Sequence, residues 1–387
     1  MNFNFFYGVI LFSFFIFSCK TIPTNEALEQ EEPERITLLF AGDVMAHRPN
    51  FNMKNYHKIW ENIKPLVSKA DFSFANIEAP VDQNLPFSPY PNFNMQPSYP
   101  QAAIAAGFNV FSLVNNHTND QGLEGILETR KWGEKIEEST KNSARPVYFC
   151  GINETPNQEI SYKIIQSGKW KILFVAATEI LNRPNYRSYL NYVVASKKNW
   201  EIFTEYLVQL REKNPCDIMV LALHTDEPEY VLPVSQKRKD YYHNLALNGV
   251  DVIWTNHPHI VREREFIGDK ETKLLKNVII YGNGNTISGQ RWEPALENPA
   301  NPRDDTGDGM MMELVFRKDK QNPKPYIEKT ETYFITTYIN TAWEFVIRFL
   351  DDDFIQYLNS IGRTKWAEYI QARKKITENI KETTIWQ

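Results

Sequence analysis

Seven short apolar runs recur along the chain, at 36–41, 72–77, 110–114, 172–177, 218–223, 250–254 and 278–281. They are continuous rather than alternating, as expected of strands buried on both faces. Between them the period changes. Trp200, Phe203, Leu207 and Leu210 fall at helical spacing and mark one apolar stripe, while Leu123, Ile126 and Leu127 open another within 122–138. Residues 54–67, 99–107 and 235–248 also read as helices. Strands alternating with helices predict an α/β fold whose sheet is covered on both sides. Further on, 312–316 and 331–338 read as strands and 342–380 as helical, with Trp366, Tyr369, Ile370 and Ile376 as apolar positions. Two stretches interrupt the pattern, a Pro/Asn-rich one at 84–100 and a second at 293–309; both come after strand ends, so either can border a site.

Composition narrows the classes. With 42% hydrophobic residues among 387, the chain has material for a real core. A net charge of −5 without long basic runs argues against nucleic acid as the main partner. Three cysteines exclude a disulfide scaffold and a Cys-rich zinc module. Residues 1–19 hold an uncharged apolar run, 5–17, too short to span a bilayer and suited to a secretory signal. That run closes on Ile16-Phe17-Ser18-Cys19, which resembles the lipobox of bacterial lipoproteins; the resemblance implies lipidation at Cys19 and a membrane-anchored protein of the cell envelope. An ordinary cleaved signal or a retained anchor is the alternative. Residues 20–35 are polar and acidic and read as a tether to the membrane. Export permits a Cys150–Cys216 disulfide, with two buried free thiols as the other reading.

Ligands of open α/β sheets bind at the carboxyl ends of strands, so the residues just after each apolar run are informative. The runs lead into Gly42-Asp43, Asn76-Ile77-Glu78, Asn115-Asn116-His117 with Asp120, His224 with Asp226, Glu227 and Glu229, Asn256-His257-Pro258-His259, and Gly282-Asn283-Gly284-Asn285. Only 172–177 is left out of this pattern. One such residue is ordinarily a turn or a helix cap. Six together would place like carboxylates on one rim, where they repel unless a cation neutralises them. Carboxylate, amide and imidazole suit zinc, manganese or iron. In an extended segment residues i and i+2 point the same way, so His257 and His259 can address one centre, with Pro258 favouring the extended shape. His47 reads as a surface histidine, and His57 and His243 fall in helical segments away from any site. Arg262, Arg264 and Arg291 are candidates for holding carboxylates or phosphates, against the plainer reading of solvated surface cations. A P-loop and a serine-hydrolase elbow are both lacking.

The ordered set, with Gly42-Asp43-Val44-Met45 at its head and His257-Pro258-His259 at its end, resembles the CapA family of poly-γ-glutamate capsule biosynthesis proteins, within the calcineurin-like metallophosphoesterase superfamily. The resemblance covers roughly 36–290 of a domain read as 36–318, with 319–387 as a strand and helical extension packing on it. It implies a four-layer α/β/β/α sandwich with one or two divalent ions at the strand ends. It further implies Asp43, Glu78, Asn116, His224, His257 and His259 as ligands, Glu78 as the bridge, and His117 as the acid or phosphate-contacting group. Asn76, Asp120, Glu227, Glu229 and Asn285 are the supporting candidates. The chain departs from the superfamily at Met45, where a histidine is usual, and in the spacing after His224, which leaves open whether Glu227 or Glu229 is the corresponding acid. The function implied is hydrolysis or transfer on an anionic polymer or a phosphoester in capsule synthesis. The alternative is a non-catalytic accessory component working with other capsule synthesis or export proteins.

Overall fold

The computed structural model of the chain describes residues 1–2 and 34–387; the signal, Cys19 and the tether up to residue 33 lie outside the described residues. Among the described residues no helix is long and apolar enough to cross a membrane.

The chain runs β1 (Glu34–Val44), α1 (Arg48–Phe51), α2 (His57–Trp60), α3 (Lys64–Lys69), β2 (Phe72–Ile77), α4 (Ser98–Ala106), β3 (Val110–Ser112), α5 (Gly122–Thr140), β4 (Tyr148–Cys150), β5 (Tyr162–Ser167) and β6 (Trp170–Thr178). It continues through α6 (Lys197–Lys213), β7 (Ile218–His224), α7 (Gln236–Leu247), β8 (Val252–Asn256), β9 (Arg264–Gly268), β10 (Leu275–Ile280), β11 (Asn285–Ile287), β12 (Asp308–Lys318), β13 (Tyr326–Ile339), β14 (Phe345–Phe349), α8 (Asp352–Ser360), α9 (Thr364–Glu378) and β15 (Glu382–Trp386). This is a mixed α/β fold, as the alternation predicts. All seven apolar runs become strands. The strands run in the hydrogen-bonded order β4-β3-β2-β1-β12-β13-β10-β8-β7-β6-β5. Two parallel groups, β1 to β4 and β6-β7-β8-β10, are joined through antiparallel β12 and β13.

Alternation within the second group explains why the runs 172–177 and 218–223 carry no polar position. Ile172, Phe174, Val220, Ala222, Val252 and Trp254 enter the larger apolar core, with Phe40 and Phe74 of the first group. Their neighbours Leu173, Val175, Met219, Leu221 and Ile253 enter a second core with Trp200, Phe203, Leu207 and Leu210 of α6 and Tyr242 and Leu245 of α7. Each strand face is therefore apolar for its own reason. The two groups face one another: the Phe74 and Phe174 rings lie 5.5 Å apart, and Trp254 packs on Phe40 and Phe74 while its Nε1 donates to the Ala41 carbonyl at 2.7 Å.

Several elements differ from expectation. The helix expected at 54–67 is two short ones, because Pro65 lacks the N–H that an unbroken helix would use and instead starts α3. The segment 342–380 opens with strand β14, whose Phe345-Val346-Ile347 suits a sheet edge on β13, and its helical part divides at Gly362, at φ +72°. Strands β4, β5, β9, β11 and β15 are additions. The two cysteines Cys150 and Cys216 are free thiols, and burial pushes them up to about 12 and about 11.

Trp254→Ala should lower the unfolding free energy by about 3–5 kcal/mol, since it opens a cavity between the two parallel groups and strands the Ala41 carbonyl. Urea unfolding followed by circular dichroism measures this. A loss below about 1 kcal/mol would mean that the ring does not clamp the two groups together.

Candidate metal centre

The centre forms where the carboxyl ends of both parallel groups meet. Asp43 is delivered by the end of β1, beside Asn76 of β2 and Asn285 of β11. That approach requires glycine: a Cβ on Gly42 would fall 1.9 Å from the Gly284 oxygen, the carbonyl that accepts from the Asp43 N–H at 3.1 Å. Glu78 comes just after β2, His224 ends β7, and His257 and His259 lie just beyond β8. All of these side chains are buried.

Ligand atoms of Glu78, His224 and His257 lie within 4.8 Å of one another, as do those of Asp43, Glu78 and His259, and those of Glu229, His257 and His259. Glu78 and the two histidines of the His-Pro-His segment thus belong to overlapping triads. His259 Nδ1 is 3.1 Å from Asp43 Oδ2, and its Nε2 is 3.5 Å from Glu78 Oε1. Asn116 Oδ1 lies 2.9 Å from His224 Nε2, which adds an amide oxygen to the Glu78–His224–His257 triad. Asn76 donates to Asp43 Oδ1 at 2.8 Å and to Glu78 Oε2 at 3.3 Å, so one amide holds both carboxylates. Asn115 carries that arrangement outward, donating to the Ile77 carbonyl and to Asn76 Oδ1.

The residues fit a divalent cation. Glu78 Oε1 and His257 Nδ1 are buried without a hydrogen-bond partner, a cost that a cation would remove. Burial first, and the Asp43 charge second, hold Glu78 well above the usual carboxylate range. Burial first, and neighbouring imidazoles second, hold His224 and His257 well below the ordinary histidine value, which leaves neutral rings with lone pairs to offer. Burial also lowers His259, but the hydrogen bond and charge of Asp43 outweigh it and raise the ring overall.

The His257-Pro258-His259 segment is not extended. His257 has φ +102° and His259 φ +57°, so both rings reach the centre from left-handed backbone rather than from strand alternation. His117 stands beside the triads: Nδ1 lies 2.7 Å from Asp120 Oδ2, the ring packs edge-on against Phe93 at 4.8 Å, and Asn182 Nδ2 sits 3.1 Å from Nδ1. Phe93 comes from the 84–100 stretch, which therefore borders the site, as does 293–309 through the Thr306 carbonyl on Asn285. Of the two acids after His224, Glu229 joins the cluster, while Glu227 accepts from Ser235 at 2.9 Å and pairs with Arg262 and Arg238.

Other expectations are corrected. Arg262 and Arg291 are neither solvated nor free for a substrate: Arg291 is buried against Asp308, Thr336 and Tyr369, and Arg262 against Glu227 and the Pro228 carbonyl. Arg264 pairs with Glu382 of β15. His47 is half-buried, its Nδ1 accepting from the Gly289 N–H, and burial, then the charges of His259 and His117, take it down to about 3. His243 pairs with Glu265. Sequence reading missed Asn182 altogether and left the run 172–177 without a polar end. Glu179 comes one residue after β6 and is buried against Trp200 Nε1 and Arg238, and Asn182 lies three beyond it.

An α/β sheet with histidines and carboxylates gathered at its strand ends is an arrangement suited to holding a divalent metal ion. The profile of the bacterial capsule synthesis protein PGA_cap matches residues 37–290, and the chain belongs to that family. It is 22% identical over 287 residues to the capsule biosynthesis protein CapA of Bacillus anthracis, covering 68% of this chain and 62% of that protein. It is also 22% identical over 267 residues to the PGA biosynthesis protein CapA of Bacillus subtilis (strain 168), covering 65% and 63%. The chain thus spans under two thirds of the length of these curated relatives. Among solved structures it is similar to a hypothetical protein from Thermus thermophilus, at 15% identity and a TM-score of 0.41, covering 77% of this chain and 98% of that one.

Manganese or zinc at about 100 times its dissociation constant should raise the stability by about 2.7 kcal/mol, seen as a higher Tm. His257→Ala should lose most of that shift along with bound metal measured by mass spectrometry. An unchanged shift in the variant would remove this cluster as the binding place.

Proposed function

We propose that the chain is an extracytoplasmic, membrane-anchored protein of capsule synthesis that hydrolyses or transfers a polymer or phosphoester at a divalent-metal centre. The observation that carries this reading is the pair of triads sharing Glu78, buried and with Glu78 Oε1 and His257 Nδ1 lacking hydrogen-bond partners. Asp43, Glu78 and His259 would hold one cation, and Glu78, Asn116, His224 and His257 a second. Bound there, such a cation supplies Lewis acidity and an activated water at neutral pH. Asn76 keeps both carboxylates in place through its two N–H bonds. Asp120 fixes the His117 ring, so that His117 Nε2 can act as the general acid toward a leaving-group oxygen. Asn182 accepts from the Asn116 amide at 3.3 Å. The four-layer arrangement is our reading of how the two apolar cores divide the strand faces.

His117→Gln should lower turnover of phosphodiesters or γ-linked glutamate polymers by about 10²–10⁴-fold with metal content unchanged. Metal-replete protein that turns over neither substrate would favour the accessory reading instead. For the anchor, Cys19→Ser should shift the protein from the membrane fraction to the soluble one; retention in the membrane fraction would remove lipidation at Cys19.

A further inference from the structure

A chain of contacts forms a rim beside the metal centre. The Phe93 ring packs edge-on against His117 at 4.8 Å and against His47 at 5.1 Å. His47 Nδ1 accepts from the Gly289 N–H at 3.2 Å, and the next residue, Gln290, donates to the Tyr230 hydroxyl at 3.2 Å. The Tyr230 ring then returns to the centre, 6.1 Å from that of His259. Tyr230 is fixed in that place, with its backbone at φ +61° and its N–H donating to the Pro258 carbonyl at 3.0 Å. Exposure rises outward along the rim: His117 and His259 are buried and Tyr230 is 46% exposed, so the centre opens to solvent on the Tyr230 side.

Arg303 reaches this opening from the 293–309 stretch. It lies in the short turn Pro302–Gly307, where the Thr306 hydroxyl donates to the Arg303 carbonyl at 2.7 Å and the Thr306 carbonyl accepts from Asn285 at 2.8 Å. Asn285 Oδ1 is 3.1 Å from His259 Nδ1, so Thr306 and Asn285 alone link the Arg303 backbone to a candidate ligand ring. The Arg303 charge is felt along the rim. Burial, then the charges of His259, His117 and Arg303, lower His47. Burial first, then the Glu229 hydrogen bond and charge and the Glu78 charge, raise the Tyr230 hydroxyl, and Arg303 opposes them. The Arg303 side chain is exposed, and among the described residues its guanidinium has no hydrogen-bond or ion-pair partner. Other arginines near the centre are engaged. Arg183, on the His117 side, donates to the Asp120 carbonyl and the Asn92 side chain, and Arg262 and Arg291 are buried in ion pairs.

We propose that Arg303 is a specificity-determining contact for a second oxyanion of the substrate, a carboxylate or phosphate other than the group held at the metal centre; the proposal rests on the reading of function above. A guanidinium offers parallel N–H donors that match two oxygens of either group, and one without a partner breaks no ion pair when it takes a ligand. The carboxylates of Asp43, Glu78, Glu229 and Asp120 gather at the centre, so a substrate carrying several negative groups is repelled wherever no cation offsets them. Arg303 supplies that offset at the opening, where a chain with repeated oxyanions must pass.

Isothermal titration of the full 387-residue chain, loaded with manganese, tests the contact with γ-linked hexaglutamate, a trimer of glycerol phosphate and inorganic phosphate. At least one oligomer should bind saturably; hexaglutamate alone identifies a carboxylate contact, and the trimer alone a phosphate contact. Arg303→Gln should weaken that oligomer about tenfold and leave inorganic phosphate, a single oxyanion, unchanged. Arg303→Lys, which keeps the charge without the fork, should weaken it less. Binding of neither oligomer, equal oligomer binding by Arg303→Gln, or an equal loss of phosphate binding would overturn the contact. Metal content of the same samples keeps the two readings apart. Full metal without oligomer binding removes the Arg303 contact and leaves the centre, whereas Arg303-dependent binding by protein that takes up no metal removes the centre and leaves the contact.

Discussion

Two carboxylates, Asp43 and Glu78, are held side by side out of contact with water, and the rest of the molecule is arranged so that they can be. Left alone they would repel, and desolvation already pushes Glu78 toward its neutral form. Part of the answer is local, since Asn76 donates to both. Part is global. Asp43 approaches only because β1 lies against the 284–285 backbone with no side chain between them, and the histidines that face it come from the other parallel group of strands. Strand ends from both groups must therefore meet, and the Trp254 contact across them is what keeps the meeting point fixed.

The arginines show how the surrounding loops are held to that point. Arg238 pairs with Glu179 and Asp226, and Arg262 with Glu227, which fastens the turn after His224 to α7 and the segment after His259. Arg291 and Arg373 share Asp308, while Tyr369 of α9 reaches Asp304 at 2.8 Å. Buried pairs of this kind add little net stability, but removing one partner leaves an uncompensated charge and is severe. They act as fixed joints, and the cations within them are not available to a substrate.

Much of this was legible in the chain. The continuous apolar runs gave every strand of the two parallel groups except the three-residue β4, and the residues just beyond them gave Asp43, Glu78, Asn116, His224, His257 and His259, which the fold brings together. What was illegible has physical causes. Strand β15 has few apolar neighbours in sequence and exists through pairing with β9, which itself pairs with β10. Asn182 lies on a loop whose role depends on where it folds back. The choice between Glu227 and Glu229 turned on Arg262 and Ser235, which no local spacing reveals. The arginines looked like surface charges because their carboxylate partners are distant in sequence.

The His-Pro-His segment is the case where a sound rule led to the right residues for the wrong reason. Strand alternation brings i and i+2 to one side, yet His257 and His259 both stand at positive φ. Left-handed backbone at two non-glycine positions costs free energy and persists only where the surroundings over-determine it. Here the Pro258 carbonyl accepts from the Tyr230 N–H, and Asp43 and Asn285 grip His259. An extended segment would have carried the chain straight on past the sheet edge. The turned one presents His257 toward His224 and His259 toward Asp43, one ring to each side of Glu78. The strain therefore lets two residues of one three-residue segment each serve one of the two triads, and it explains why the pair sits beyond the end of β8 rather than within it.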